Sequence, residues 1–201
     1  MNSVWKIASV LLFANAALCG GEGGNEVKQE QVDLVRKKAE EGNPMSMVIL
    51  GQMHAQGAGV KKDIAETVKW YRKAAEKGFA EGQYQLALLY ATGDGVSKDS
   101  TEAFNWYLKA AEQGIAEAQL ACAVAYFKGD GVKEDILASV TWCKKAAEKN
   151  NDGAQFLLGV MYYAGRGVPM SKEESIKWLT KAAEAGHRQA KEMLQQIQAK
   201  K

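Results

Sequence analysis

Leu-Leu-Tyr-Ala-Thr-Gly-Asp-Gly-Val at 88–96 returns as Val-Ala-Tyr-Phe-Lys-Gly-Asp-Gly-Val at 124–132 and, more loosely, at 52–60 and 160–168, always at a step of 36 residues. A fixed period of this length marks a repeat architecture, in which each unit is one supersecondary element that stacks on its neighbours to bury its apolar face. Such a chain is built to offer a surface that holds other molecules, not a pocket that transforms them.

Working outward from the third copy, Ala118, Cys122, Ala125 and Tyr126 recur at helical steps and share one stripe of a helix, helix A of the repeat. Gly129-Asp130-Gly131 ends it, because glycine enters the left-handed conformation without steric cost. Asp135 and its equivalents Asp63, Asp99 and Ser171 follow as N-caps of a second helix, B, and Glu66, Glu102 and Glu174 three residues later predict capping boxes. Helix B carries Trp142, Cys143, Ala146 and Ala147, matching Trp70-Tyr71, Trp106-Tyr107 and Trp178-Leu179, each with its Ala-Ala pair. It ends at Gly78, Gly114 and Gly186, with Asn150 standing in once. Gly51, Ala87, Ala123 and Gly159 let the two antiparallel helices approach closely. The tryptophans are expected to fill the space between repeats, at a cost of about 3–5 kcal/mol when truncated to alanine.

The register runs past the full copies. Leu34, Val35 and Ala39 before Gly42 read as a B helix without its partner, and Ala190 and Leu194 match Ala154 and Leu158 as a last A helix. The expectation is an all-α chain of ten helices, a right-handed α/α solenoid of four full hairpins at about 44–79, 80–115, 116–151 and 152–187, with a half-repeat at each end and a single domain over 28–198.

The first residues differ. Lys6 is the only charge before Glu22, and the apolar run from Ile7 to Ala14 is too short to span a bilayer, so 1–19 reads as a secretory signal peptide. Ala14-Asn15-Ala16 offers the small residues of a cleavage site, with a mature start near Ala17. Cleavage after Cys19 and lipid attachment at Cys19 stay open, although Leu18 stands where lipoprotein signals carry a small residue. Residues 20–27 form a flexible glycine-rich linker. The chain is thus expected to be exported, periplasmic or secreted. With Lys6 removed, 25 positive residues face 24 negative ones, a balance that argues against a nucleic-acid partner.

Leu158-Gly159, Tyr162, Gly165-Arg166-Gly167-Val168, Trp178 and Lys181-Ala182-Ala183 resemble the Sel-one-like repeat (SLR) family, relatives of the tetratricopeptide repeats, over about 34–194. Ser171 replaces the family aspartate. The resemblance implies an α/α solenoid acting as an adaptor or scaffold in protein complexes, with envelope or host-interaction roles for exported bacterial members. His54 stands where the other repeats have Tyr90, Tyr126 and Tyr162, and Thr67 where Ala103 is expected, which predicts looser packing in the first repeat. Cysteine-rich relatives staple their hairpins at positions that here hold Ala147 and Ala154, so that disulfide scheme is absent.

In the related repeats the A helices line the concave face. The matching stripe here includes Val48, Gln52, Tyr84, Leu88, Leu120, Val124, Phe127, Phe156, Val160 and Tyr163. From it, Gln52, Tyr84, Leu88, Val124, Phe127, Val160 and Tyr163 are the candidate groove for a protein or peptide partner, with a glycan as a further candidate ligand. The plainer reading is that Tyr84, Leu120 and Phe156 pack A helix on A helix, which leaves Leu88, Phe127 and Tyr163 as the stronger contact candidates. Cys122 and Cys143 share one hairpin core, either as a disulfide or as two buried thiols.

Catalytic, cofactor-binding and metal-binding residues are not found. The Gly-x-Gly turns end helices and lack a Gly-Lys-Ser/Thr context, Gly-Asp-Gly lacks the spaced carboxylates of a calcium loop, and His54 and His187 are the only histidines. Ser-x-x-Lys, the nucleophile motif of penicillin-recognising enzymes, occurs only at Ser3 to Lys6 in the leader. A rival reading, an envelope protein acting weakly on cell-wall or β-lactam substrates, rests on analogy with the cysteine-rich relatives.

Overall fold

The computed structural model of the protein describes residues 29–199; the expected leader with its cleavage site and Cys19, and the linker at 20–27, lie outside them. The described residues form ten α-helices: α1 (Gln29–Glu40), α2 (Pro44–Gln56), α3 (Ile64–Glu76), α4 (Ala80–Thr92), α5 (Ser100–Glu112), α6 (Ala116–Lys128), α7 (Ile136–Glu148), α8 (Asp152–Ala164), α9 (Lys172–Glu184) and α10 (Arg188–Ala199). The chain divides between Lys98 and Asp99 into two compact units. In the first, α1 packs on α2, α2 on α3, and α3 on α4; in the second, each helix from α5 to α10 packs on the next. These are the hairpins of an α/α solenoid, all-helical across the described residues. Half-hairpins stand where expected: α1 buries Val32, Val35 and Ala39, and α10 buries Ala190 and Ile197.

Local chemistry sets the helix ends. Asp63 accepts from the amides of Ala65 and Glu66, Asp99 from Thr101 and Glu102, Asp135 from Ala138, and Ser171 from Glu174, so all four expected N-caps form. Asn150 adopts φ 62°, the left-handed geometry that its glycine equivalents supply elsewhere. The reciprocal half of the capping box is different. The cap amides of Asp63, Asp135 and Ser171 donate to the carbonyls of His54, Tyr126 and Tyr162, closing the turn between helices A and B. The glutamates are thereby released to other partners: Glu66 accepts from Lys69 Nζ at 2.6 Å and from Trp70 Nε1 at 3.1 Å, and Glu174 from Lys177 at 3.0 Å.

Two further expectations change. The first repeat is not loosened: α2 buries Ser46, Met47, Val48, Ile49, Leu50, Gly51 and Met53, because α1 and α4 both pack against it. Nor are the tryptophans uniformly buried. Trp70 is buried, whereas Trp106, Trp142 and Trp178 are half-buried, and a lysine one turn on covers each ring. Lys73, Lys109, Lys145 and Lys181 place Nζ 4.4, 3.9, 4.1 and 4.6 Å from the respective ring centroids. The lysine of each Lys-Ala-Ala triplet is a cation–π lid.

Candidate functional site

In the first unit Gln52, Tyr84 and Leu88 are half-buried, and Val48 on the same stripe is buried and unavailable to a partner. In the second unit Val124, Phe127 and Val160 are half-buried, and Tyr163 is 40% exposed. Phe127 packs on the core formed around Leu158 and Met161, and the Arg166 guanidinium lies 4.3 Å from its ring centroid. Arg166 comes from the turn after α8 and also stands 3.8 Å from Glu134, so three segments converge on Phe127. An exposed, long ion pair of this kind adds little stability, but it holds the arginine over the ring. Leu120 and Phe156 are committed elsewhere. Leu120 lies over Gly153, where a Cβ would meet its Cδ2 at 2.9 Å, and Phe156 stacks on His187 at 4.5 Å between centroids. His187 further caps α10, accepting from the Ala190 amide through Nδ1 at 3.3 Å.

Cys122 and Cys143 are fully buried free thiols. Cys143 Sγ donates to the Ala154 carbonyl at 3.2 Å, towards α8. Burial pushes both thiols up to about 12. Their small volume fits what surrounds them: Ala123 occupies the place of Gly51 and Gly159, where a Cβ would stand 2.6 Å from Tyr71 and 2.7 Å from Leu179. Among the described residues no group of three or more His, Cys, Asp or Glu side chains is placed to hold a metal ion, and no helix is long and apolar enough to cross a membrane.

Sequence reasoning missed one recurring feature. Gln83, Gln119 and Gln155, spaced by the repeat, are buried near the start of their A helices, and each Nε2 donates to a carbonyl in the last turn of the preceding B helix: Ala75 at 3.4 Å, Ala111 at 3.0 Å and Ala147 at 3.2 Å. The signal was present as a glutamine recurring at the repeat period, with Met47 in its place in the first copy. For Gln119 and Gln155, Oε1 is buried without a donor. Around Gln119 the second unit opens a cleft of about 400 Å³, lined by Ala111 and Glu112 of α5, Gln119 of α6, Trp142, Lys145 and Glu148 of α7, and Lys149.

Hairpins with αL-terminated A helices, capped B helices and a partly exposed A stripe define an α/α repeat protein. The Sel1 repeat model matches residues 44–79, 80–115, 116–151 and 153–187, and the chain belongs to the Sel1 repeat family. Repeats of this family commonly mediate protein–protein interaction. Among solved structures, c5321, a protective antigen of uropathogenic Escherichia coli strains displaying an SLR fold, is 37% identical with a TM-score of 0.77, over 79% of this chain and 34% of that one. A Sel1 repeat protein from Oxalobacter formigenes is 34% identical with a TM-score of 0.77, over 84% of this chain and 49% of that one. Helicobacter pylori cysteine rich protein B is 26% identical with a TM-score of 0.52, over 67% of this chain and 97% of that one. The chain therefore spans between a third and a half of the length of the first two. No curated protein matches it.

Proposed function

We propose that this chain is an exported, non-catalytic adaptor that holds a protein or peptide partner on the A-helix stripe of its repeats. The observation that carries this reading is the group around Phe127: an aromatic ring on a rigid helix, faced by the Arg166 guanidinium, in a unit whose Tyr163 is 40% exposed. Interfaces draw their energy from anchors of this composition. Family membership supports a protein partner, and the apolar run from Ile7 to Ala14 supports export.

The test is affinity capture with the secreted or periplasmic protein, identification of the retained partner, and titration of that purified partner against the variant Leu88→Ala/Phe127→Ala/Tyr163→Ala. Affinity is expected to fall at least tenfold while the variant stays helical and cooperative. Unchanged affinity refutes the stripe assignment, and retention of a glycan in place of a protein replaces the partner class. N-terminal sequencing of the exported chain is expected to begin near Ala17; recovery of Met1 from the cytoplasm alone ends the export reading.

A further inference from the structure

The last half-hairpin, α10, is tied to the second unit by less than the other A helices. It buries only Ala190 and Ile197, in a cluster with Leu179 and Ala182 of α9, whereas α8 buries Ala154, Gln155, Leu158, Gly159 and Met161. Lys191 stands where α4, α6 and α8 carry Gln83, Gln119 and Gln155, so α10 lacks the glutamine bond to the preceding B helix. Its start differs too. The residue before the A helix is Asn43, Phe79, Ile115 or Asn151 in the other repeats; the asparagines cap through Oδ1 at 2.9 Å, and Phe79 and Ile115 make no side-chain cap. Before α10 it is His187. Its Nδ1 accepts from the Ala190 amide at 3.3 Å, and its ring lies nearly parallel to Phe156 of α8, 4.5 Å between centroids and 19° between planes.

We propose that His187 is a pH-sensitive latch, which caps α10 and keeps it docked while the ring is neutral and loosens it when the ring is protonated. An asparagine oxygen accepts a hydrogen bond at any pH. An imidazole nitrogen accepts only without a proton, and imidazole is the side chain that gains its charge between pH 8 and 5. Imidazolium sets an Nδ1–H against the Ala190 N–H and a positive charge on a helix N-terminus. Loss of the cap is worth about fivefold in the docking equilibrium and the dipole roughly two- to fivefold. The Phe156 face pulls the other way, favouring imidazolium by roughly two- to fivefold, which leaves about fivefold for release. The charged side chains flanking the ring on the packed elements are Asp152 on α8, Lys181 and Glu184 on α9, and Arg188, Lys191 and Glu192 on α10. Cations and carboxylates balance there, so the helix-end effects decide the sign. Release uncovers Leu179, Ala182 and Phe156 and removes the exposed polar face of α10, Arg188, Lys191 and Gln195 among it. The end of the unit then becomes an apolar edge of the kind on which an A helix stacks elsewhere.

The experiment follows the full-length, isotope-labelled protein by NMR from pH 7.5 to 5.5, a range above ordinary carboxylate titration. Amide exchange in α10 from Ala190 to Ile197, corrected for the intrinsic rate at each pH, is expected to speed up about fivefold towards pH 5.5, in step with titration of the His187 ring. Amides of α2, the helix that carries His54, and of α6 are expected to keep their protection. His187→Asn puts at this position the residue that caps α2 and α8, and is expected to fold and to hold α10 equally at both ends of the range. The same acid response in His187→Asn overturns the latch, as does α10 protection that is unchanged with pH. Greater protection of α10 in acid also overturns it, because the Phe156 stack then outweighs the cap.

Discussion

Gly167 is pressed against Ile136: a Cβ at Gly167 would stand 2.5 Å from Ile136 Cγ2 and 2.9 Å from Val140 Cγ2, both on the B helix of the preceding repeat. The two glycines of the turn thus do different work. Gly165 ends α8 in the left-handed conformation, φ 66°, with its nearest outside neighbour, Met170 Cβ, 3.2 Å from where a Cβ would lie. Gly167 combines a left-handed φ of 71° with direct contact to the preceding hairpin.

The first prediction separates these roles. Asparagine tolerates the left-handed region, as Asn150 does in this chain, so Gly165→Asn should cost about 1 kcal/mol or less. Gly167→Ala adds backbone strain to overpacking and should cost about 2–4 kcal/mol. Urea unfolding of both variants checks this, and equal midpoints would show that Gly167 is merely a helix terminator.

Tryptophan truncation should be uneven. Trp70 is 6% exposed and its Nε1 donates to Glu66, so Trp70→Ala is expected to cost about 3–5 kcal/mol. Trp106 is half-buried beneath Lys109, and its truncation should cost about 2 kcal/mol, part of that through loss of the lysine lid. The hydrogen bond from Lys69 holds the Glu66 carboxyl below its ordinary range. Its small stabilising contribution is therefore present above the unfolded carboxylate pKa and lost as pH falls through the folded one. Glu66→Gln should flatten the acid limb of the stability profile slightly, as read by thermal melts from pH 6 to 3.

The buried thiols carry the opposite sign. In the unfolded chain a cysteine loses its proton around 9.0, whereas Cys122 and Cys143 keep theirs to about 12. Their contribution is complete below pH 9 and is lost as pH rises from about 9 to 12. Cys122→Ala/Cys143→Ala should make the decline between those values shallower, though from a lower starting stability. At neutral pH both sites should resist a maleimide until denaturant is added, when peptide mass spectrometry should find both alkylated. Fast native labelling, or a two-hydrogen mass deficit joining the two peptides, would contradict their placement as separate core thiols.

Much of the hairpin was legible from residues close together in the chain. Asp63, Asp99, Asp135 and Ser171 declare helix starts and Asn150 a left-handed stop because each acts on amides or torsions within a few residues. The capping boxes were only half legible. Which partner satisfies the amide of Asp63 depends on whether His54, nine residues earlier, turns its carbonyl back towards it, and that follows from how the two helices pack. At the candidate site, the exposure of Tyr163 agrees with its position on the stripe, but Val48 disappears beneath neighbouring helices and Arg166 arrives over Phe127 from another repeat.

From the order of residues alone came the period, the helices, their ends and membership of a repeat class, since backbone hydrogen bonding and torsional preference act over short stretches and recur every 36 residues. Packing between hairpins settled the rest: why the second turn glycine admits no side chain, and why a glutamine is buried at the start of an A helix. Those relationships join residues that are distant in sequence, where steric fit and the pairing of buried polar groups, not local propensity, choose the neighbour.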